Sequence, residues 1–227
     1  MAPWALASAH IFSRLPEKLA NDLFAKSRLV KIAADQTLFT AGDPGDGCYR
    51  VESGLMKVSV ISPTGSERIL AIFGPGSLIG EFAVIDGQPR SATVTAVRES
   101  LLRFISRAAY QEFVQKHPEA RDHMMMMLIQ RLRDTNNIVA AASFLSTKGR
   151  VALALVGLAE AFGQDLGGGR SLIKQKITQN EVAAMAGVAR ENVSRTLNEW
   201  MRQKLVSRTG GFYTIENRKL IEAEAET

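Results

Sequence analysis

The segment Gly80-Glu81-Phe82-Ala83-Val84-Ile85-Asp86-Gly87-Gln88-Pro89-Arg90-Ser91-Ala92 holds the most chemically loaded residues of the chain. Arg90 offers a planar, permanently charged fork that matches an oxyanion. One helical turn after Gly80 would aim free backbone N–H groups at the same anion. A fork with aimed amides is how a small β domain holds a phosphate. Glu81 cannot serve that purpose, but a lone carboxylate on this turn can accept hydrogen bonds from a ribose hydroxyl. From residue types alone, the competing arrangement is an Arg90–Glu81 pair on a surface loop.

A second constellation lies toward the C-terminus. Thr178-Gln179-Asn180-Glu181 is a capping box, so a helix starts at Gln179; Gly187 interrupts it, and a second helix follows from about Arg190 to Lys204 with Val193, Leu197 and Trp200 facing in. Val182, Ala183, Ala186, Gly187, Val188 and Val193 fit a helix-turn-helix pattern, Thr196 less well, and a plain three-helix cap would look similar. From Lys174 to Arg208 there are seven basic residues against Glu181, Glu191 and Glu199, a net charge of +4. Arg190, Glu191 and Arg195 occupy the exposed N-terminal side of the second helix, where base edges are read. Ser207–Ile215, with Gly210-Gly211 between short apolar runs, reads as a β hairpin forming a wing.

These residues need elements to position them. From Thr37 to Ile105, short runs of Val, Ile, Leu and Phe are broken by Gly42-Asp43-Pro44-Gly45-Asp46-Gly47, Ser62-Pro63-Thr64-Gly65 and Gly74-Pro75-Gly76. That pattern predicts an antiparallel β roll with strands four to seven residues long, Met56–Ile61 and Arg68–Phe73 among them. Ahead of it, Ser13–Lys26 has the spacing of a short amphipathic helix with Pro16 in its first turn. Pro118–Phe144 has no glycine and its only proline at the first position, and reads as one helix of roughly seven turns. Met125, Leu128, Leu132, Thr135, Val139 and Ala142 form a seam suited to a second identical helix, although an ordinary buried helix would carry a similar stripe. Thr135 and Asn136 are polar in the middle of it, either to fix register or to touch a ligand shared by two subunits. A further helix, capped by Ser146 or Thr147, runs to about Phe162, followed by a flexible Gly163–Arg170 loop; the chain ends in a short acidic stretch, EAEAET.

The composition narrows the classes. At 227 residues and 46% hydrophobic, the chain suits two domains with proper cores. No run approaches the ~20 apolar residues of a membrane span, and the N-terminus lacks the basic start of a signal peptide; the expected location is cytoplasmic, with no membrane partner. Cys48 is the only cysteine, which excludes internal disulfides and a four-thiolate cluster. His10, His117 and His123 have no metal-ligand spacing. A net charge of +5 and a pI near 9.5 suit a polyanionic partner. An enzyme acting on a phosphodiester would need paired carboxylates, a metal cluster or an activated nucleophile, and none is recognisable.

The stretch from Ile79 to Ala96 (IGEFAVIDGQPRSATVTA) resembles the phosphate-binding cassette of cyclic-nucleotide-binding domains, with Gly80-Glu81, the small Ala83 and the Pro-Arg-Ser-Ala run in place. Val188–Leu197 (VARENVSRTL) resembles the recognition helix of the same family, with its Arg-Glu-x-x-x-Arg triplet intact. Two motifs in this order make the chain similar to the Crp/Fnr family of bacterial transcription regulators, closest to the cyclic-nucleotide-binding branch. The resemblance implies an α+β fold in three parts: an N-terminal antiparallel β roll (1–117), a long dimerisation helix and hinge (118–145), and a C-terminal winged helix-turn-helix (146–227). It implies Glu81 on the ribose 2′-hydroxyl and Arg90 on the cyclic phosphate, with Gly80, Phe82, Ala83 and Ser91 completing the site and Arg131, Thr135 and Asn136 on the adenine side. The effector is expected to be cAMP, with cGMP, cyclic di-GMP or no ligand as alternatives, since Ser91 can also serve a guanine. Asn136 stands where the best-known member has serine. No cofactor or metal is expected. DNA contacts fall to Thr178, Gln179, Ala189, Arg190, Glu191, Asn192, Ser194 and Arg195, with Ala189 replacing the usual capping serine. The partners implied are an inverted-repeat duplex, a second copy of the chain and RNA polymerase.

Overall fold

The computed structural model describes residues 16–25 and 27–226. Contacts divide the chain into two compact units, with the boundary between Leu132 and Arg133.

The first unit contains α1 (Glu17–Phe24), β1 (Arg28–Ile32), β2 (Thr37–Phe39), β3 (Gly47–Ile61), β4 (Glu67–Phe73), β5 (Leu78–Ile79), α2 (Glu81–Asp86), β6 (Thr93–Ser106), α3 (Arg107–Lys116) and the first part of α4 (Pro118–Phe144). The strands form an antiparallel sheet in the order β1-β6-β3-β4, with β2 added to β6 and β5 to β3. Four strands depart from the expected length: β2 and β5 are shorter, with 3 and 2 residues, and β3 and β6 longer, with 15 and 14. The pairing of β3 with β6 shifts register between Val51 and Ser53, Ser53 and Leu55, and Leu55 and Met56, so one long strand bends around the roll where short strands were expected. α1 is shorter than expected, with Pro16 at its N-cap; Ser13–Leu15 and Lys26 lie outside the described residues.

Two apolar clusters hold this unit. Inside the roll, Tyr49, Val51, Met56, Phe73, Ile79, Val94 and Leu102 are buried together. Outside it, Leu19, Leu23 and Phe24 of α1 meet Tyr110 and Phe113 of α3 and Met124 and Met127 of α4. Burying each such side chain contributes about 1.5–3 kcal/mol, which anchors the start of α4. Met125, Leu132 and Val139 of the seam are exposed, at 59%, 61% and 60%, so α4 carries an apolar stripe that the described residues leave uncovered.

The second unit runs on from Arg133 with α5 (Thr147–Phe162), β7 (Gly163–Gly167), β8 (Arg170–Ile173), α6 (Gln179–Ala186), α7 (Arg190–Arg202), β9 (Val206–Thr209), β10 (Phe212–Ile215) and α8 (Arg218–Glu224). Ser146 caps α5 by accepting from the Gly149 amide at 3.0 Å. A four-stranded antiparallel sheet follows in the order β7-β8-β10-β9. Three expectations need correction here. The Gly163–Arg170 stretch is a hairpin, because Gly167, Gly168 and Gly169 all take positive φ and reverse the strand. α7 ends at Arg202, and Lys204 beyond it sits at φ 58°. The acidic tail is entered by a helix, α8, capped by Asn217 on the Leu220 amide and pinned by buried Ile221.

Candidate effector site and nucleic-acid interface

In the first unit, Gly80 adopts φ 79° and turns β5 into α2. At this positive φ any side chain would be strained, and a Cβ would lie 2.5 Å from Arg90 Nη1 and push the guanidinium aside. Arg90 is 4% exposed; its Nη1 donates to the Gly80 carbonyl at 3.0 Å and its Nη2 to Asp46 Oδ1 at 2.9 Å, with the guanidinium 4.2 Å from the centre of the Phe39 ring. The loop carrying Asp46 is clamped to the cassette: Arg90 N donates to Asp43 O and Gly42 N to Arg90 O, both at 2.8 Å.

Glu81, 1% exposed, forms an ion pair with Arg131 of α4, whose Nη2 also donates to the Leu78 carbonyl at 2.9 Å. The Arg131 guanidinium lies 4.9 Å from the Phe73 ring centre and 5.6 Å from that of Phe82. The Arg90–Glu81 pair that residue types alone allowed is therefore absent, each charge having found another partner. Arg131, expected on the base side, sits on the carboxylate assigned to the ribose. Ala83 is buried, while Ser91 is exposed and Phe82 is 40% exposed. Thr135 and Asn136 are exposed and belong to the second unit.

Two buried polar atoms of the cassette lack a hydrogen-bond partner among the described residues: Arg90 Nε and Glu81 Oε2. Orphans of this kind cost free energy and are rare in folded proteins. One is a cationic donor and the other an anionic acceptor, so together they fit a ligand that presents an anionic oxygen and a hydroxyl. Beneath them Cys48 is fully buried, and its thiol pKa is pushed up by burial and by the nearby Glu81 carboxylate; it is no nucleophile. Asp46 is a site residue that its sequence context, a tight turn, does not reveal.

In the second unit the capping box forms as expected: Glu181 N donates to Thr178 Oγ1 at 3.2 Å and Thr178 N to Glu181 Oε2 at 2.7 Å. Gly187 ends α6 in the left-handed conformation and Ala189 begins α7 without a side-chain cap. Val193, Leu197 and Trp200 are fully buried on one side of α7. On the other, Gln179, Arg190, Glu191, Ser194, Arg195 and Asn198 line a concavity of about 400 Å³. Asn198 escaped the sequence reading, although it continues the 191, 194/195 spacing by another turn. Thr178 is exposed at the start of α6, and Asn192 is half-buried. Lys148 of α5 ties the reader together, its Nζ 2.8 Å from Glu199 of α7 and 3.1 Å from Glu224 of α8. In the β9–β10 wing, Lys176 Nζ lies 5.5 Å from the Phe212 ring centre and the Arg208 guanidinium 5.1 Å from that of Tyr213.

Residues 29–117 match the cyclic nucleotide-binding domain family and residues 149–224 the Crp-like helix-turn-helix domain family. The "CRP-like cAMP-activated global transcriptional regulator" of Mycobacterium tuberculosis (strain H37Rv) is 30% identical over 221 residues, covering 97% of this chain and 95% of that protein. The chain belongs to the Crp/Fnr family. Like its Crp/Fnr relatives, it is a transcription regulator with a DNA-binding helix-turn-helix and no enzyme. The "Cyclic AMP receptor protein" of Thermus thermophilus is 33% identical over 185 residues, 82% of each chain. Among solved Crp/Fnr structures, the T. thermophilus regulator TTHA1359 superposes with a TM-score of 0.72 at 25% identity, over 88% of this chain and 99% of that one. The c-di-GMP-responsive regulator CLP of Xanthomonas campestris does so at 0.74 and 23%, over 89% and 100%, a likeness of fold. Among the described residues no helix is long and apolar enough to cross a membrane.

Proposed function

We propose that the chain is a homodimeric transcription regulator whose DNA binding is controlled by a cyclic nucleotide, cAMP before cGMP. The observation that carries the effector is the pair of buried orphans, Arg90 Nε and Glu81 Oε2, on one short cassette. A nucleotide with one phosphate and one ribose 2′-hydroxyl satisfies both, and the two relatives named for cAMP favour adenine. Ser91 is exposed, so its hydroxyl is available to a guanine as well. Gly80, Phe82 and Ala83 shape the turn, Arg131 holds Glu81, and Thr135 and Asn136 take the base side. Cyclic di-GMP, to which the X. campestris protein responds, brings two phosphates to a cassette with one arginine fork.

The exposed Met125, Leu132 and Val139 stripe on α4 is the dimer face in this reading. Arg190, Glu191 and Arg195 read base edges; Thr178, Gln179, Ala189, Asn192 and Ser194 support them on the backbone or in the groove. RNA polymerase is the further partner, and the cytoplasm the place of action. Calorimetric titration with cAMP, cGMP and cyclic di-GMP, followed by DNA binding with and without each, tests the proposal. Binding of cAMP that tightens DNA association supports it; DNA binding indifferent to all three removes the effector.

A further inference from the structure

Two ion pairs sit at the cassette: Arg131 with Glu81, and Arg90 with Asp46. A phosphate reaching Arg90 therefore meets a guanidinium that already carries a carboxylate, while the Arg107 guanidinium packs against Gly87 at the other end of the cassette. We propose that Asp46 makes this site selective for a singly charged cyclic phosphodiester over a doubly charged phosphomonoester such as 5′-AMP. This rests on the nucleotide reading above and adds a discrimination that the cassette motif does not specify.

Asp46 cannot leave the neighbourhood of the phosphate. Its carbonyl accepts from Arg107 N at 3.0 Å, and the preceding residues are bonded to the Arg90 backbone. Gly45 is packed so closely that an added Cβ would lie 2.1 Å from the Ala83 Cβ. The side chain itself is 62% exposed against 2% for Arg90, so it can turn aside while its charge stays near. Arg90 keeps Nε for the incoming anion, its Nη1 being engaged by the Gly80 carbonyl. A cyclic diester brings one negative charge to share the fork with Asp46. A monoester brings close to two at pH 7, the second ionising near pH 6. That second charge faces the Asp46 carboxylate that already sits on the Arg90 fork. At roughly 6 Å and an effective dielectric constant between 20 and 80, one extra unit of like charge weakens binding about tenfold.

The test is calorimetric competition of cAMP and 5′-AMP on the full-length protein at about pH 8, where the monoester is a dianion. Wild type, Asp46→Asn and Asp46→Glu are compared, with thermal melting to confirm that each variant is folded. Asp46→Asn is expected to tighten 5′-AMP about tenfold more than it tightens cAMP, while Asp46→Glu keeps the wild-type ratio. Equal gains for both nucleotides would make Asp46 a general competitor and overturn the proposal. Equal losses would make it a positioning residue for Arg90 and overturn the proposal as well. A wild-type protein that binds neither nucleotide removes the nucleotide reading itself, an outcome distinct from a changed or unchanged ratio.

Discussion

Glu81 on the short α2 turn and Arg131 on α4 form one ion pair, with the carboxylate 1% and the guanidinium 21% exposed. The cassette and the long helix are thus joined by charge as well as by apolar packing. A ligand that engages Glu81 necessarily alters what Arg131 feels, and a ligand shifts an equilibrium only through such differential contacts.

Removing one partner of this pair should be costly, because it leaves the other buried and uncompensated. Arg131→Leu is expected to destabilise the first unit by about 3 kcal/mol, and Arg131→Leu combined with Glu81→Gln by less than the sum of the single changes. Urea unfolding of the four proteins in the cycle measures this; additive losses would mean that the two side chains do not interact energetically.

Base readout follows from the exposed side of α7. Arg190 and Arg195 can each bond bidentately to guanine O6 and N7, whereas Glu191 only accepts, which suits the N4 amino group of cytosine. Glu191→Ala should relax preference at one base pair by about 1–3 kcal/mol, whereas Lys174→Ala or Lys176→Ala should weaken all sequences alike and flatten the salt dependence. Selection from random duplexes should return inverted repeats with a guanine in each half-site. Direct repeats, or half-sites of A and T alone, would contradict these assignments.

The wing should respond to acid. A hydrogen bond from Ser207 Oγ at 2.5 Å holds the Glu216 carboxyl below its ordinary value of 4.5; burial opposes this, and Arg170 at 2.7 Å reinforces it. A depressed carboxyl contributes stability that is complete above its unfolded value and disappears as the pH falls through the folded one. Between about pH 5 and pH 3, wild type should therefore lose more thermal stability than Glu216→Gln, by less than about 1 kcal/mol because the pair is partly exposed. Parallel losses in the two proteins would show that Glu216 is not part of the acid transition.

Local signals were legible where one residue type decides a conformation. Pro118 and the absence of glycine to Phe144 marked α4 at both ends, and Thr178 with Glu181 marked the start of α6. What escaped was set by distant contacts. Asp46 lies 44 residues from Arg90 in sequence, so a turn-forming acid looked the same as a partner for a buried guanidinium. The three glycines at 167–169 resemble a linker until β7 pairs with β8 and leaves them as the tip of a hairpin. Charge at the C-terminus hid α8, whose single buried face rests on Ile221 and Ala225. The length of β3 depended on bulges that only its partner strand reveals.

The central claim is that Arg90 and Glu81 hold a cyclic nucleotide, and titration of cAMP into wild type, Arg90→Leu and Glu81→Gln tests it most directly. A charge-assisted hydrogen bond is worth about 1.5–3 kcal/mol and the Arg90 fork can make two, so Arg90→Leu should abolish binding while Glu81→Gln weakens it less. A folded Arg90→Leu protein that titrates cAMP like wild type would contradict the account.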